Sequence, residues 1–164
     1  MKESARLFLV QAQSAFVVFE LLRSHKAMHH CHSLHYLQMA TELFAKAFLW
    51  ERGPIRKTHE VIDAFFKRLA TQRRAQSKLG FDGLNENWQQ TLKKAKEIAS
   101  EIQALSPAIA KNGPNAEYPW PPAKPIAAPV EYEFPVWTKL TATSFGRKYI
   151  HLLKQLLAGA GEYL

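Results

Sequence analysis

Apolar residues recur every three or four positions along most of this chain, the period of an amphipathic helix. In the first stretch Ala5, Phe8, Leu9, Ala12, Ala15, Phe16, Phe19 and Leu22 keep that period. This predicts a helix over 4–24 with Ser4 as its N-cap. The phase shifts at Ser24 to Lys26, a tight turn, and a second helix follows from about Ala27 to Glu51. Its main part, Cys31 to Trp50, holds no Gly or Pro and is rich in helix-favouring Leu, Ala, Glu, Gln and Lys. Leu34, Leu37, Phe44 and Phe48, with Leu43, Ala47 and Trp50 beside them, cover most of its circumference, so it is expected at the centre of the fold. One polar line is left. His35, Gln38, Glu42 and Lys46 follow at spacings of three, four and four and share a face. That line is either a solvated edge with a Glu-to-Lys pair or a polar groove lining a dimer or ligand site. Gly53-Pro54 ends the helix.

Thr58 is placed to cap a third helix, with Glu60 in its first turn and Val61, Ile62, Phe65, Phe66 and Leu69 on its apolar face; the pattern fades near Arg74. Gly80, Asp82 and Gly83 mark a loop. Asn85 or Asn87 then caps a fourth helix, in which Trp88, Leu92, Ala95, Ile98, Ala99, Ile102 and Leu105 make an unbroken stripe ended by Ser106-Pro107. The segment from Asn112 to Pro135 holds seven prolines, which bar a long helix or central strand. It also holds Tyr118, Trp120, Tyr132 and Phe134, too many aromatics for a disordered linker. We read 112–135 as an extended strap over the bundle, with Glu131 to Phe134 pairing as a short strand. Ser144 caps the last helix, with Phe145, Tyr149, Leu152, Leu153 and Leu156 toward the core. Arg147, His151 and Lys154 lie opposite, and Gly159 and Gly161 end it. The expectation is an all-α, up-and-down bundle of about five helices in a single domain over 1–164.

Composition adds charge to this picture. The chain has 164 residues, 47% of them hydrophobic, with a formal net charge of +8. Between Arg52 and Lys78 eight basic residues (Arg52, Arg56, Lys57, Lys67, Arg68, Arg73, Arg74, Lys78) face two acidic ones, Glu60 and Asp63. Such a stripe suits RNA or an acidic partner, and equally the polar face of a helix and its turns. No run of eighteen apolar residues is present, and the start, Met1-Lys-Glu-Ser, is unlike a signal peptide. With a single Cys31 and so no internal disulfide, a cytoplasmic protein with no membrane association is expected.

Histidines crowd one place: His25, His29, His30, His32 and His35, with Cys31 among them. Three of them, His25, His29 and His32, would share a helical face, a spacing that binds zinc, copper or nickel. No carboxylate lies within the cluster and no second motif supplies a fourth ligand, so a polar helix start is the simpler expectation and no metal or other cofactor is assigned. Neither a Gly-rich phosphate loop, nor G-x-S-x-G, nor C-x-x-C occurs.

Leu37-Gln-Met-Ala-Thr-Glu-Leu-Phe-Ala-Lys-Ala-Phe-Leu49, followed by the Gly-Pro break and Thr58-His-Glu-Val-Ile, resembles the second-helix signature and third-helix entry of the HEPN family. The likeness covers about two fifths of the chain, and the proline strap is not part of it. It implies a helical bundle that often dimerises and binds RNA or nucleotides. Many members are metal-independent ribonucleases of toxin–antitoxin and defence systems, partnered by nucleotidyltransferase-like antitoxins. Ribonuclease members carry an Arg, four to six intervening residues and a His near the start of a late helix. Here the matching place holds Arg147-Lys-Tyr-Ile-His151, with three between. Arg147 would hold phosphate, and His151 would take the proton of a ribose 2′-hydroxyl. Literal spacings occur at Arg52 to His59, the fallback pair, and from Arg23 to His29 or His30. Two functions therefore stand side by side: an RNA-binding or RNA-cleaving, toxin-like protein, and a non-catalytic homodimeric module that binds a protein or a nucleotide. The polar line of helix two and the aromatic strap are the surfaces expected to form the homodimer.

Overall fold

Phe8, near the start of the first helix, lies 5.5 Å from Trp50, at the end of the second. This contact closes an antiparallel helical hairpin between α1 (Glu3–Ser24) and α2 (His30–Trp50). The computed structural model describes residues 1–50, 61–121 and 127–163. Beyond the hairpin come α3 (Val61–Leu69), α4 (Arg73–Lys78), α5 (Asn85–Gln103), α6 (Pro107–Ala110), a 3-10 turn (Pro129–Glu131), α7 (Pro135–Ala142), α8 (Ser144–Ala158) and α9 (Ala160–Tyr163). The chain is all-α. Among the described residues there is no strand, only an isolated bridge between Trp120 and Ala127. α2 is enclosed by α1, α3, α5 and the 3-10 turn. Its Leu34, Leu37, Phe44 and Phe48 are buried, and Phe44 and Phe48 meet Phe65 of α3 edge-on at 5.6 and 5.2 Å. Together α5 and α8 close the other side.

The helices differ in detail from those expected. Nine α-helical segments lie among the described residues, instead of about five. Ser4 sits inside α1, whose N-cap is Lys2 with no side-chain bond; Glu3 supplies negative charge to the first turn instead. α2 starts at His30 rather than Ala27, because the Met28 N–H bonds back to His25 and closes a turn. The third helix breaks in two after Leu69, where its apolar stripe stops; the Ala70 carbonyl accepts from Gln89 of α5. Leu84, not an asparagine, precedes α5. Gly53-Pro54, Thr58 and Glu60 lie outside the described residues.

Aromatic contacts join the described parts of the strap. Trp120, Tyr132 and Phe134 pack on one another at 4.9–6.4 Å, and Trp120 and Phe134 are buried. Glu131 to Phe134 is not a strand: Tyr132 donates to the Pro129 carbonyl and completes the 3-10 turn. Pro135, expected as part of the strap, opens α7 at its first position, where a missing N–H is harmless. Thr143, not Ser144, caps α8 by accepting from the Gly146 N–H at 3.0 Å. Gly161 falls within α9. Phe145, expected in the core, is 44% exposed.

Candidate functional site

The outer face of α8 and the outer face of α5 form two polar ridges. On α5, Asn87, Gln90, Thr91 and Lys94 recur at the three-and-four spacing of one face. Lys148, His151 and Gln155 do the same on α8, with Phe145 one turn earlier. Between the ridges lies a cleft of about 650 Å³, closed at one end by Leu79 and Phe81 and floored by Ala95, Tyr149 and Leu152. That volume suits a small ligand or one or two nucleotides. Lys94, Lys148 and His151 line it together with four neutral polar side chains, and no carboxylate does. The Lys94 ammonium sits over the face of the Phe145 ring, 3.6 Å from its centre, and that of Lys148 lies 5.9 Å away, so the half-exposed ring is capped by a cation.

Two features fix this geometry. α8 approaches α7 so closely at Gly146 that any Cβ there would collide with the Lys139 carbonyl and the Leu140 backbone. Tyr149, wholly buried beneath the cleft, meets Thr41 of α2 at 2.7 Å. Burial raises the Tyr149 phenol far above its ordinary value, so it is a neutral anchor and not an acid or base at working pH.

Of the expected pair, His151 lines the cleft, but Arg147 does not. Its guanidinium donates to the Thr141 carbonyl at 3.1 Å, at the end of α7. The fallback pair, Arg52 and His59, lies outside the described residues, as do Arg56 and Lys57. Of the remaining basic stripe, Lys67 pairs with Asp63 at 2.7 Å and Lys78 pairs with Glu162. Arg68, Arg73 and Arg74 are exposed. The stripe thus divides into neutralised lysines and open arginines, and α4, which carries Arg73 and Arg74, runs into Leu79 and Phe81 at the cleft.

The polar line of α2 is largely enclosed: its Glu-to-Lys pair forms, Gln38 is buried, and His35 lines a small cleft. Glu42 accepts from Lys46 at 2.5 Å, from Gln38 at 3.1 Å and from Gln103 of α5 at 3.1 Å. Its side chain is 19% exposed. Burial pushes the Glu42 carboxyl upward, but the donors outweigh it and hold the group below the ordinary carboxylate range. His35, the fourth member, faces Glu117 at 3.4 Å. Glu117 is set there by Asn115, whose side-chain oxygen accepts from the backbone of Glu117 and Tyr118.

The histidine cluster disperses. His25 lies before α2, His30 stacks on Trp137 at 4.5 Å, and His29 meets His32 edge-on. Among the described residues no group of three His, Cys, Asp or Glu side chains is disposed to hold a metal ion. Cys31 is buried beside a second, smaller cleft of about 430 Å³ under the strap, and burial raises its thiol pKa, which disfavours the nucleophilic thiolate.

Lys94 and Lys148 were not among the expected site residues, and Phe145 was expected in the core. The signal present was the three-and-four spacing of polar residues on α5 and α8; what it lacked was the knowledge that the two ridges face each other. No family model, no curated protein and no solved structure matches the chain.

Proposed function

We propose that the protein is a HEPN-like, RNA-associated module that binds single-stranded RNA at the cleft between α5 and α8. The observation that carries this is the exposed Phe145 ring flanked by Lys94 and Lys148 above a cleft lined by His151 and no carboxylate. A base of any identity can stack on this ring when Lys94 moves off its face to an adjoining phosphate, with Lys148 beside it. The open arginines of α4 extend the positive surface along the strand. The resemblance of Leu37–Leu49 to the family signature agrees with this function and with an up-and-down bundle. It also agrees with a cytoplasmic toxin–antitoxin setting and a nucleotidyltransferase-like partner. The test is fluorescence anisotropy of a labelled RNA oligomer. Lys94→Glu with Lys148→Glu should weaken binding by about tenfold or more, and Phe145→Ala should weaken it by about 1–3 kcal/mol. Unchanged affinity in both would remove the cleft from RNA recognition.

A binding role without catalysis is favoured over ribonuclease activity by one observation, the engagement of Arg147 with Thr141 away from the cleft. Were RNA cut, His151 would act as base on the 2′-hydroxyl, and Lys148 or Lys94 would offset the phosphate charge. Incubating the purified protein with RNA and a chelator separates the two. Intact RNA supports the binding role, and cleavage abolished by His151→Ala supports the nuclease.

A further inference from the structure

The two clefts of this protein carry opposite chemistry. The one between α5 and α8 is lined by cations and no carboxylate among the described residues. The smaller one, about 430 Å³ between the first turns of α2 and the strap, is the reverse. Its polar lining is Glu117, His32 and His35, with no lysine or arginine among the described residues. A carboxylate and neutral imidazoles accept hydrogen bonds, so in a chain of net charge +8 this cleft is built of acceptors. The rest of its wall is apolar, chiefly Pro119, Pro129 and Val130.

Glu117 is held at this cleft by the backbone. The N–H groups of Glu117 and Tyr118 donate to the side-chain oxygen of Asn115, a residue only 3% exposed, and the Ala116 N–H donates to the Leu105 carbonyl at 3.2 Å. The Glu117 carboxylate is strong enough in its field to raise the phenol pKa of Tyr118 beside it. One of its oxygens lies 3.4 Å from His35 Nδ1 with no hydrogen bond between them, and that nitrogen is buried without a partner among the described residues. When a neutral His35 carries its proton on Nε2, two acceptors face each other there and a donor is needed to bridge them. An ammonium can do so, since charge-assisted bonds of about 2.8 Å reach both atoms from one nitrogen.

We propose that the cleft under the strap is a binding site for a primary alkylammonium, its charged head seated on Glu117 and His35 with His32 beside them, and its methylene stem along Pro119, Pro129 and Val130. Three donors and no acceptor on the head match an acceptor-only seat, and a stem of methylenes gains by lying on apolar wall. The chemistry is shared by a free alkylamine and the side chain of a lysine. An anion would meet the Glu117 charge, and no group of three ligating side chains among the described residues is disposed to hold a metal ion instead. The two clefts share no lining residue, so the site does not depend on RNA binding. The titratable groups around the seat are Cys31, His29 and Tyr36 on α2, Glu117 and Tyr118 on the strap, and Glu131 in the 3-10 turn. Burial keeps the Cys31 thiol protonated. Of these residue types only histidine gains charge between about pH 7.5 and about pH 5.5, so acidification sets new cations against the ammonium.

The experiment is an amide NMR titration of the isotopically labelled full chain with pentylamine and, separately, with acetyl-lysine amide. The expected result is saturable shifts of the Ala116, Glu117 and Val130 amides with at least one of them. Tighter binding of acetyl-lysine amide points to a lysine side chain as the occupant, and tighter binding of pentylamine to a free amine. Pentanol and acetyl-norleucine amide, which lack the charge, should bind about tenfold more weakly or worse. Glu117→Gln should weaken the amine by about tenfold or more, and so should acidification from about pH 7.5 to about pH 5.5. The backbone bonds to Asn115 survive that substitution, so the remaining amide shifts of the strap should stay as they are. Four results overturn the proposal: no saturable shift at these amides with either amine, equal binding of the uncharged compounds, full affinity in Glu117→Gln, or affinity that does not fall on acidification.

Discussion

The side-chain oxygens of Thr41 and Tyr149, on α2 and α8, meet at 2.7 Å in the interior. Thr41 Oγ1 also lies 2.8 Å from the Leu37 carbonyl, to which its single hydrogen is donated. The Tyr149 hydroxyl must then be the donor to Thr41. The polar contact joins the central helix to the helix that carries His151, directly beneath the cleft.

Removing the two hydroxyls should have unequal effects. Tyr149→Phe leaves Thr41 bonded to Leu37 and should destabilise by about 1 kcal/mol. Thr41→Val strands a buried donor and should destabilise by about 1–3 kcal/mol. Urea unfolding of both variants measures the difference, and equal losses would reverse the assignment of the donor.

Gly146→Ala should destabilise by about 1–3 kcal/mol or more, since the added methyl meets backbone atoms of α7 that cannot rotate away. The same displacement should shift α8 and weaken RNA binding. Gly161→Ala is the control, because nothing lies within 4 Å of its Cβ position.

Stability should fall on acidification through Glu42. Its carboxyl is held below the ordinary value of 4.5 in the folded chain, so the contribution is full above that value. It is lost as the pH drops through the folded pKa. Asp63, lowered by Lys67 and Lys96, adds to the same acid limb. Unfolding midpoints from about pH 7 to about pH 3 should decline less steeply for Glu42→Gln, which should also lose about 1 kcal/mol at neutral pH.

RNA affinity should fall steeply with salt. Reversing Lys94 and Lys148 should lower the slope of log affinity against log salt by about one for each phosphate contact removed. Arg73→Glu with Arg74→Glu should lower affinity by a smaller factor, because these side chains lie on the approach to the cleft. No effect from the second pair would make α4 a solvated face.

All-α character was legible in the sequence because it depends on local periodicity, which hydrogen bonds between near neighbours enforce. The buried positions of α2, α3, α5 and, Phe145 apart, α8 followed from the same period. The prolines marked the strap and its aromatics the packing of its described parts, but α7 was hidden. It is eight residues long, starts with Pro135 and buries only Val136 and Leu140.

What the sequence determined by itself was which residues share a face; what the tertiary structure decided was what each face meets. His35, Gln38, Glu42 and Lys46 were bound to line up on any helix. That Glu42 is satisfied by Gln103, sixty-one residues away, depends on how α5 packs. Lys94, Lys148 and His151 are outward positions on their own helices and Phe145 read as a core position; only the approach of α5 to α8 gathers the four around one cleft. α1 offered two apolar stripes. Local spacing cannot rank them, because either would serve as a core face. The fold places Ala5, Leu9, Ala12, Phe16 and Phe19 inward, where small alanines let α1 lie close to α2. The larger Leu7, Val10, Val17 and Leu21 are left facing out.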